Sequence, residues 1–195
     1  MVIELNRGEN VRFEEIDPSI TKLRVDIDWA SADIQEHEID IAVFLLTDVG
    51  VVRDADELIF HAHPVSANGA VRLCDVPFNL DARLRREAVE VDLPEIPQHV
   101  VRIVICASIY DRGRRGLSFA QIDRLSVRCV DTSANIEIVS FKPAGFDASK
   151  TAIVCSELCR DGHGWQYMAV GRAIAGGFAA LCEEYAQIIV QQVTA

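Results

Sequence analysis

The sequence predicts an all-β fold: an antiparallel two-sheet β-sandwich closed by a C-terminal amphipathic helix. Three observations carry that expectation. About ten short segments alternate apolar and polar residues, or run apolar between turn residues. They follow one another at close spacing, as sandwich strands do. A helical period appears convincingly only once, after Gly176-Gly177. A chain of 195 residues without linker or repeat is expected to form one domain, residues 1–195.

The elements follow in order. Val2 to Leu5 gives a short strand ending in a turn at Arg7-Gly8, and Glu14, Glu15 and Asp17 before Pro18 resemble a solvated connection. From Leu23 to Trp29 the alternation is clean: Leu23, Val25, Ile27 and Trp29 share one face, and Arg24, Asp26 and Asp28 share the other. Glu38 to Leu46 repeats the pattern, with Glu38 and Asp40 opposite Ile39, Ile41 and Val43. If these two strands are neighbours, Asp26, Asp28, Glu38 and Asp40 fall in one small region, where like charges cost stability unless a cation or Arg24 neutralises them.

Leu58 to Ala62 and Ala70 to Cys74 are short strands, Asp75 to Glu87 a long loop, and Ala88 to Leu93 a strand ended by prolines. Val100 to Tyr110 is the longest apolar run, expected at a sheet centre with both faces covered. Phe119 to Asp123 reads as a short helical turn, and Leu125–Val130 with Ile136–Phe141 as a hairpin. Lys150–Cys159 and Trp165–Val170 form a second hairpin about Asp161-Gly162. Beyond Gly176-Gly177, Phe178, Leu181, Cys182, Tyr185, Ile188 and Ile189 recur at helical spacing, predicting a helix from Gly177 to Val190.

Composition excludes several functions. A formal charge of −11 and a pI near 4.8 repel nucleic acid and anionic lipid. No apolar run approaches the roughly 18 residues of a membrane span, and the opening MVIELNRGEN is unlike a signal peptide, so a cytoplasmic protein is expected. Six cysteines sit mostly in apolar strand patterns without a Cys-x-x-Cys, which predicts reduced, buried thiols. Cys155 and Cys159, four apart on one strand face, are too distant to share a metal with His163.

Chemistry-bearing motifs are few. The glycines from Gly171 to Gly177 lack the Lys and Ser/Thr of a phosphate loop. Asp48, Asp54 and Asp56 lack EF-hand spacing, and His61 with His63 is a single pair without a third ligand. There is no Gly-x-Ser-x-Gly, no spacing selects a triad, and no carboxylate pair stands out for glycoside chemistry. The chain is therefore expected not to be an enzyme.

Several ordered segments resemble a known family. Glu157-Leu158-Cys159-Arg160, Gly164-Trp165, Ala169-Val170-Gly171 and Ala175-Gly176-Gly177 are similar to the closing signature of the TerD family of tellurium-resistance and stress-response proteins. Leu5 with Gly8, Asn10 and Val11 resembles its opening, Ile39-Asp40 before Phe44-Leu45-Leu46 its acidic strand, and Phe119 with Gln121 its Asn-Phe-Gly-Gln-Val segment.

The resemblance implies a two-sheet sandwich with helical additions that binds calcium through acidic loops. It places Asp40 at the second strand acid, Glu38 in place of the first, and Asp75 and Glu87 at either side of the family's loop rich in Gly and Asp. This chain departs where the family has Gly-Asp-Gly-Asp-Asp-Glu, reading Ala82-Arg83-Leu84-Arg85-Arg86-Glu87, and Trp29-Ala30 replaces a Trp-Asp pair.

The resulting expectation is that Asp26, Asp28, Glu38, Asp40, Asp75 and Glu87 converge at one end of the sandwich to hold calcium. Other Ter-type stress proteins are the implied partners, and the oligomeric state is left open. Two alternatives stand beside it. In one, the protein is a metal-free interaction module with Arg85 and Arg86 pairing Asp40 and Asp75. In the other, it binds a small anion such as a cyclic nucleotide through Arg83, Arg85 or Arg86.

Overall fold

The structure, a computed structural model, describes residues 2–31, 38–74, 84–110 and 116–187. Its strands are β1 (Ile3–Leu5), β2 (Asn10–Arg12), β3 (Lys22–Ser31), β4 (Ile39–Leu46), β5 (Leu58–Ile59), β6 (Val71–Cys74) and β7 (Leu84–Asp92). There follow β8 (Arg102–Ile109), β9 (Ile122–Asp131), β10 (Ile136–Phe141), β11 (Ala152–Asp161) and β12 (Gly164–Ile174). Two α-helices, α1 (Phe13–Ile16) and α2 (Gly177–Tyr185), and three single 3-10 turns, Ala55–Glu57, Leu93–Glu95 and Phe119–Gln121, complete the described elements, the last of them where a short helical turn is expected.

The strands form two six-stranded sheets, β1-β10-β9-β3-β7-β6 and β2-β12-β11-β8-β4-β5. All neighbours are antiparallel except β1 and β10, which run parallel. The expected sandwich is the observed one. The expected adjacency of the two acidic strands is not: β3 is central in the first sheet and β4 lies in the second, beside β8. The connection between them crosses from sheet to sheet, as Greek-key connections do in sandwiches.

Alternation sets the core. Leu23, Val25, Ile27 and Trp29 of β3 meet Ile39, Ile41, Val43 and Leu45 of β4 and Ile103, Ile105 and Ala107 of β8 between the sheets. The other face of the second sheet is apolar too, with Ala42, Phe44, Leu46, Val104, Cys106, Ala152 and Val154. Helix α2 covers it: Leu181 and Tyr185 are buried, Tyr185 packs 5.2 Å from the Phe44 ring, and Phe178 stacks on Phe60 at 5.6 Å. Burial of each such side chain stabilises by roughly 1.5–3 kcal/mol. Strand β8 is thus covered on both faces, as its unbroken apolar run requires.

The chain turns from β12 into α2 through Gly176 (φ 97°) and Gly177 (φ 62°), both left-handed, where other residues are strained. The described helix ends at Tyr185, and residues 188–190 of the range expected to be helical lie outside the described residues.

Three local features depart from the sequence expectation. Glu14, Glu15 and Asp17 are exposed as expected, but the stretch around them is structured: β2 pairs with β12, and Phe13 of α1 is buried in the core. Strand β7 begins at Leu84, inside the stretch expected to be loop, because β3 provides a ladder from Asp92 back to Leu84. Leu58–Ala62 shortens to a two-residue edge strand.

All six cysteines are free thiols. Burial pushes the Cys155 thiol up to about 12 and those of Cys159 and Cys182 to about 11, so they are unreactive at neutral pH. Cys155 and Cys159 do not share a face, because a bulge at Val154/Ser156 shifts the alternation and puts Leu158 with Cys155 in the core.

The β11–β12 turn is tied down from outside. Arg12 of β2 pairs bidentately with Asp161, whose Oδ1 also accepts the His163 N–H at 2.8 Å. The Arg12 hydrogen bond and then the His163 N–H hold the Asp161 carboxyl down at about 2. A depressed carboxylate contributes stability above its ordinary value, and this is lost as pH falls through the folded one. Asp161→Asn should therefore flatten the acid limb of the stability profile between about pH 4 and 2, as followed by urea unfolding at fixed pH. Superimposable limbs would show that the pair contributes nothing.

Candidate functional site: an arginine lattice on the first sheet

Among the described residues no helix covers the outer face of the first sheet, yet Asp26 and Asp28 are 0% and 5% exposed there. Register explains how. Successive outward positions of β3 carry Arg24, Asp26 and Asp28; Asp26 lies opposite Arg128 of β9, and Asp28 opposite Arg86 of β7. Cross-strand partners stand close enough for direct contact, and long guanidinium side chains also reach the diagonal position.

Arg86 Nε and Nη2 donate to Asp28 Oδ1 and Oδ2 at 2.5 and 3.3 Å. Arg128 Nε donates to Asp28 Oδ2 at 3.0 Å, its Nη2 to Asp26 Oδ2 at 3.1 Å, and its Nη1 to Glu137 Oε2 at 3.1 Å. Arg24 Nε donates to Asp26 Oδ1 at 2.6 Å, and Arg86 Nη1 lies 3.9 Å from Asp26 Oδ2. Three guanidiniums thus face three carboxylates, with Arg128 bridging all of the acids. The hydrogen bond that Arg24 donates to Asp26 raises its guanidinium above its ordinary value. Burial works against the charge of Arg128, but Asp28, Asp26 and Glu137 outweigh it and hold its guanidinium high.

This geometry leaves little for a metal. Every carboxylate oxygen of Asp26 and Asp28 accepts from a guanidinium. A divalent ion at those oxygens would sit within a few ångströms of three fixed positive charges.

The remaining expected ligands lie elsewhere. Asp40, paired in register with Ser108, belongs to the second sheet and alternates with the core residues Ile39 and Ile41, so it faces away from the sandwich interior. Glu38 directly precedes β4, and its carbonyl accepts the Tyr110 N–H at 2.8 Å. Glu87 pairs with Ile27 and so points to the opposite side of β7 from Arg86. Asp75 lies outside the described residues. The sandwich core therefore separates Asp26 and Asp28 from Asp40, and those acids do not converge. Glu38, Asp40 and Glu87 each have a partner of their own. No group of three metal-ligating side chains occurs among the described residues.

The arginine expectation is corrected as well. Arg86 pairs with Asp28 and Asp26 on the first sheet, which commits its guanidinium to carboxylates. Arg83 lies outside the described residues. His61 sits in a turn, and Phe60 bridges His63 across it, so the histidines do not share a strand face. Buried Glu57 is engaged by His99 Nε2 at 2.5 Å and by the Arg53 N–H at 2.6 Å, which clasps two loops together.

Comparison with known proteins settles the family. The TerD domain family model matches residues 1–185. The chain belongs to the TerD family. It is 28% identical over 187 residues to the tellurium resistance protein TerD of Serratia marcescens, covering 95% of this chain and 97% of that one. It is 27% identical over 188 residues to general stress protein 16U of Bacillus subtilis strain 168, with 95% and 97% covered. The fold matches the crystal structure of a homologue of TerD from Streptomyces coelicolor A3(2) at a TM-score of 0.62 and 14% identity, over 84% of this chain and 95% of that one. Within this TerD-family sandwich, Arg128 and Glu137 are the lattice residues that sequence patterning did not single out. Only the β3–β9 pairing places Arg128 beside Asp26.

Breaking a buried pair by removing one partner costs about 3 kcal/mol or more, because charge is left without compensation. Arg128→Ala should therefore lower stability by about that amount in denaturant unfolding. Arg124→Ala, an exposed arginine four positions earlier on the same strand, should stay within about 0.5 kcal/mol of the parent. Equal, small effects would show that the lattice is surface decoration.

Proposed function

We propose that this TerD-family chain is a stress-protection protein of the tellurium-resistance kind, that it works as a binding module rather than a catalyst, and that it does so without calcium at the acids of its first sheet. One observation carries the calcium part: the two buried carboxylates that β3 presents are closed by Arg24, Arg86 and Arg128. A site that fills its own negative charge with side chains leaves a cation nothing to neutralise. The stress role is supported by family membership and by full-length likeness to relatives named for tellurium resistance and general stress.

The departure at Arg85-Arg86 fits the same reading. The run that holds acids in the family holds here a strand that delivers Arg86 to Asp28. Fixed guanidiniums do for the fold what an ion does elsewhere, at any calcium concentration.

Calorimetric unfolding in excess calcium and in chelator tests this, because a ion bound only by the folded state raises the midpoint with occupancy. The midpoint is expected to be the same in both; a calcium-dependent rise that disappears in Asp28→Asn would overturn the calcium-free reading. Survival of tellurite-challenged cells producing the chain, against cells lacking it, reads the stress role, with protection expected.

A further inference from the structure

A second feature lies where β1 and β10 part company. Their parallel ladder ends at the Leu5–Phe141 pair. Beyond it, Asn6 and Arg7 turn toward β2 in the other sheet, while Lys142, Pro143 and Ala144 leave in another direction. The gap is a cavity of about 360 Å³, open to solvent, which also reaches Gly171 of β12. That volume is at the lower end of the range of small-ligand sites.

The cavity is kept open by what is missing at residue 171. Gly171 has φ +59°, and a Cβ there would lie 2.8 Å from Phe141 Cζ and 3.4 Å from Pro143 Cβ, both on the cavity wall. Any side chain would crowd this wall. The apolar groups Leu5, Phe141 and Pro143 give the cavity its shape, and Ser140 adds a hydroxyl.

The charges are unusual for this molecule. Arg7 and Lys142 both line the cavity, and neither forms an ion pair or hydrogen bond among the described residues, in a chain carrying 30 acidic and 19 basic side chains. Most of the other described arginines are committed to carboxylates. Glu4 is the one acid on the wall, so the lining holds an excess of one positive charge. Asn6 is tied back to Glu9, its backbone N–H donating to Oε2 at 2.7 Å, which fixes the strand exit beside Arg7.

From this geometry we infer an anion site: Arg7 and Lys142 bind a small oxyanion in the cavity floored by Gly171. Arg7 offers a planar fork for two oxygens and Lys142 a mobile point charge, the two modes by which proteins hold oxyanions. The site shares no residue with the arginine lattice, although Ser140 on its wall lies opposite Arg128 in the β9–β10 ladder; the oxyanion titration is read without calcium, so its failure would leave the calcium result untouched.

Titration at constant ionic strength tests it, with chloride as reference and inorganic phosphate and tellurite as separate probes, followed by amide NMR shifts of Asn6, Ser140 and Gly171. A saturable one-to-one response to either oxyanion is expected. Loss of a charge-assisted contact should weaken binding about tenfold in Arg7→Ala and in Lys142→Ala, while Arg124→Ala, on another strand, binds as the parent does. Both cavity variants change exposed side chains, so unaltered melting separates lost binding from lost fold. No saturable response to either probe, or parent-like affinity in both cavity variants, would overturn the assignment.

Discussion

The fold depends on how the first sheet closes its outer face. A six-stranded sheet buries one face against its partner and must either wet or cover the other. The second sheet covers its outer face with apolar side chains and α2, where Leu181 and Tyr185 descend on Phe44 and Ala186 packs alongside. Among the described residues the first sheet has no such helix. It places Asp26 and Asp28 on its central strand and roofs them with Arg24, Arg86 and Arg128, drawn from β3, β7 and β9. Because the ion pairs join three adjacent strands, they fix register as well as charge. A one-residue slip of β7 would turn Arg86 inward and leave Asp28 buried without its bidentate partner.

That arrangement has a cost that apolar packing does not. Desolvating three guanidiniums and three carboxylates is repaid only when the hydrogen bonds are complete, and an apolar substitute of equal volume is often as stable. The completeness here is what makes the lattice a specific device rather than a collection of surface pairs. Arg128 uses Nε, Nη1 and Nη2 on three different acids, so no single carboxylate can leave without exposing the others' charge.

Much of this was legible in the residues. The alternation of β3 and β4 gave their inward faces correctly, the two hairpins closed at Asp131–Ile136 and Asp161–Gly164, and the apolar run of β8 marked a doubly covered strand. Asp26 and Asp28 were evident as outward acids, and Arg24 as a neutralising neighbour. What could not be read was which strands lie beside which. Alternation assigns faces but carries no information about partners far along the chain, and Asp26 meets Arg128 only through a β3–β9 pairing about a hundred residues apart in sequence. For the same reason alternation alone allows Asp40 beside Asp28, although the core of the sandwich lies between them. Strand β7 was shortened for a local reason: Leu84-Arg85-Arg86-Glu87 has little β signature of its own, and its strand is imposed by the β3 ladder.

The central claim is that arginine holds the buried acids of the first sheet. A double-mutant cycle between Arg128 and Asp28, using Arg128→Met and Asp28→Leu and read by urea unfolding, measures it most directly. The account predicts a coupling of about 1.5 kcal/mol or more, unchanged by added calcium. Coupling near zero, or coupling that vanishes when calcium is supplied, would contradict it.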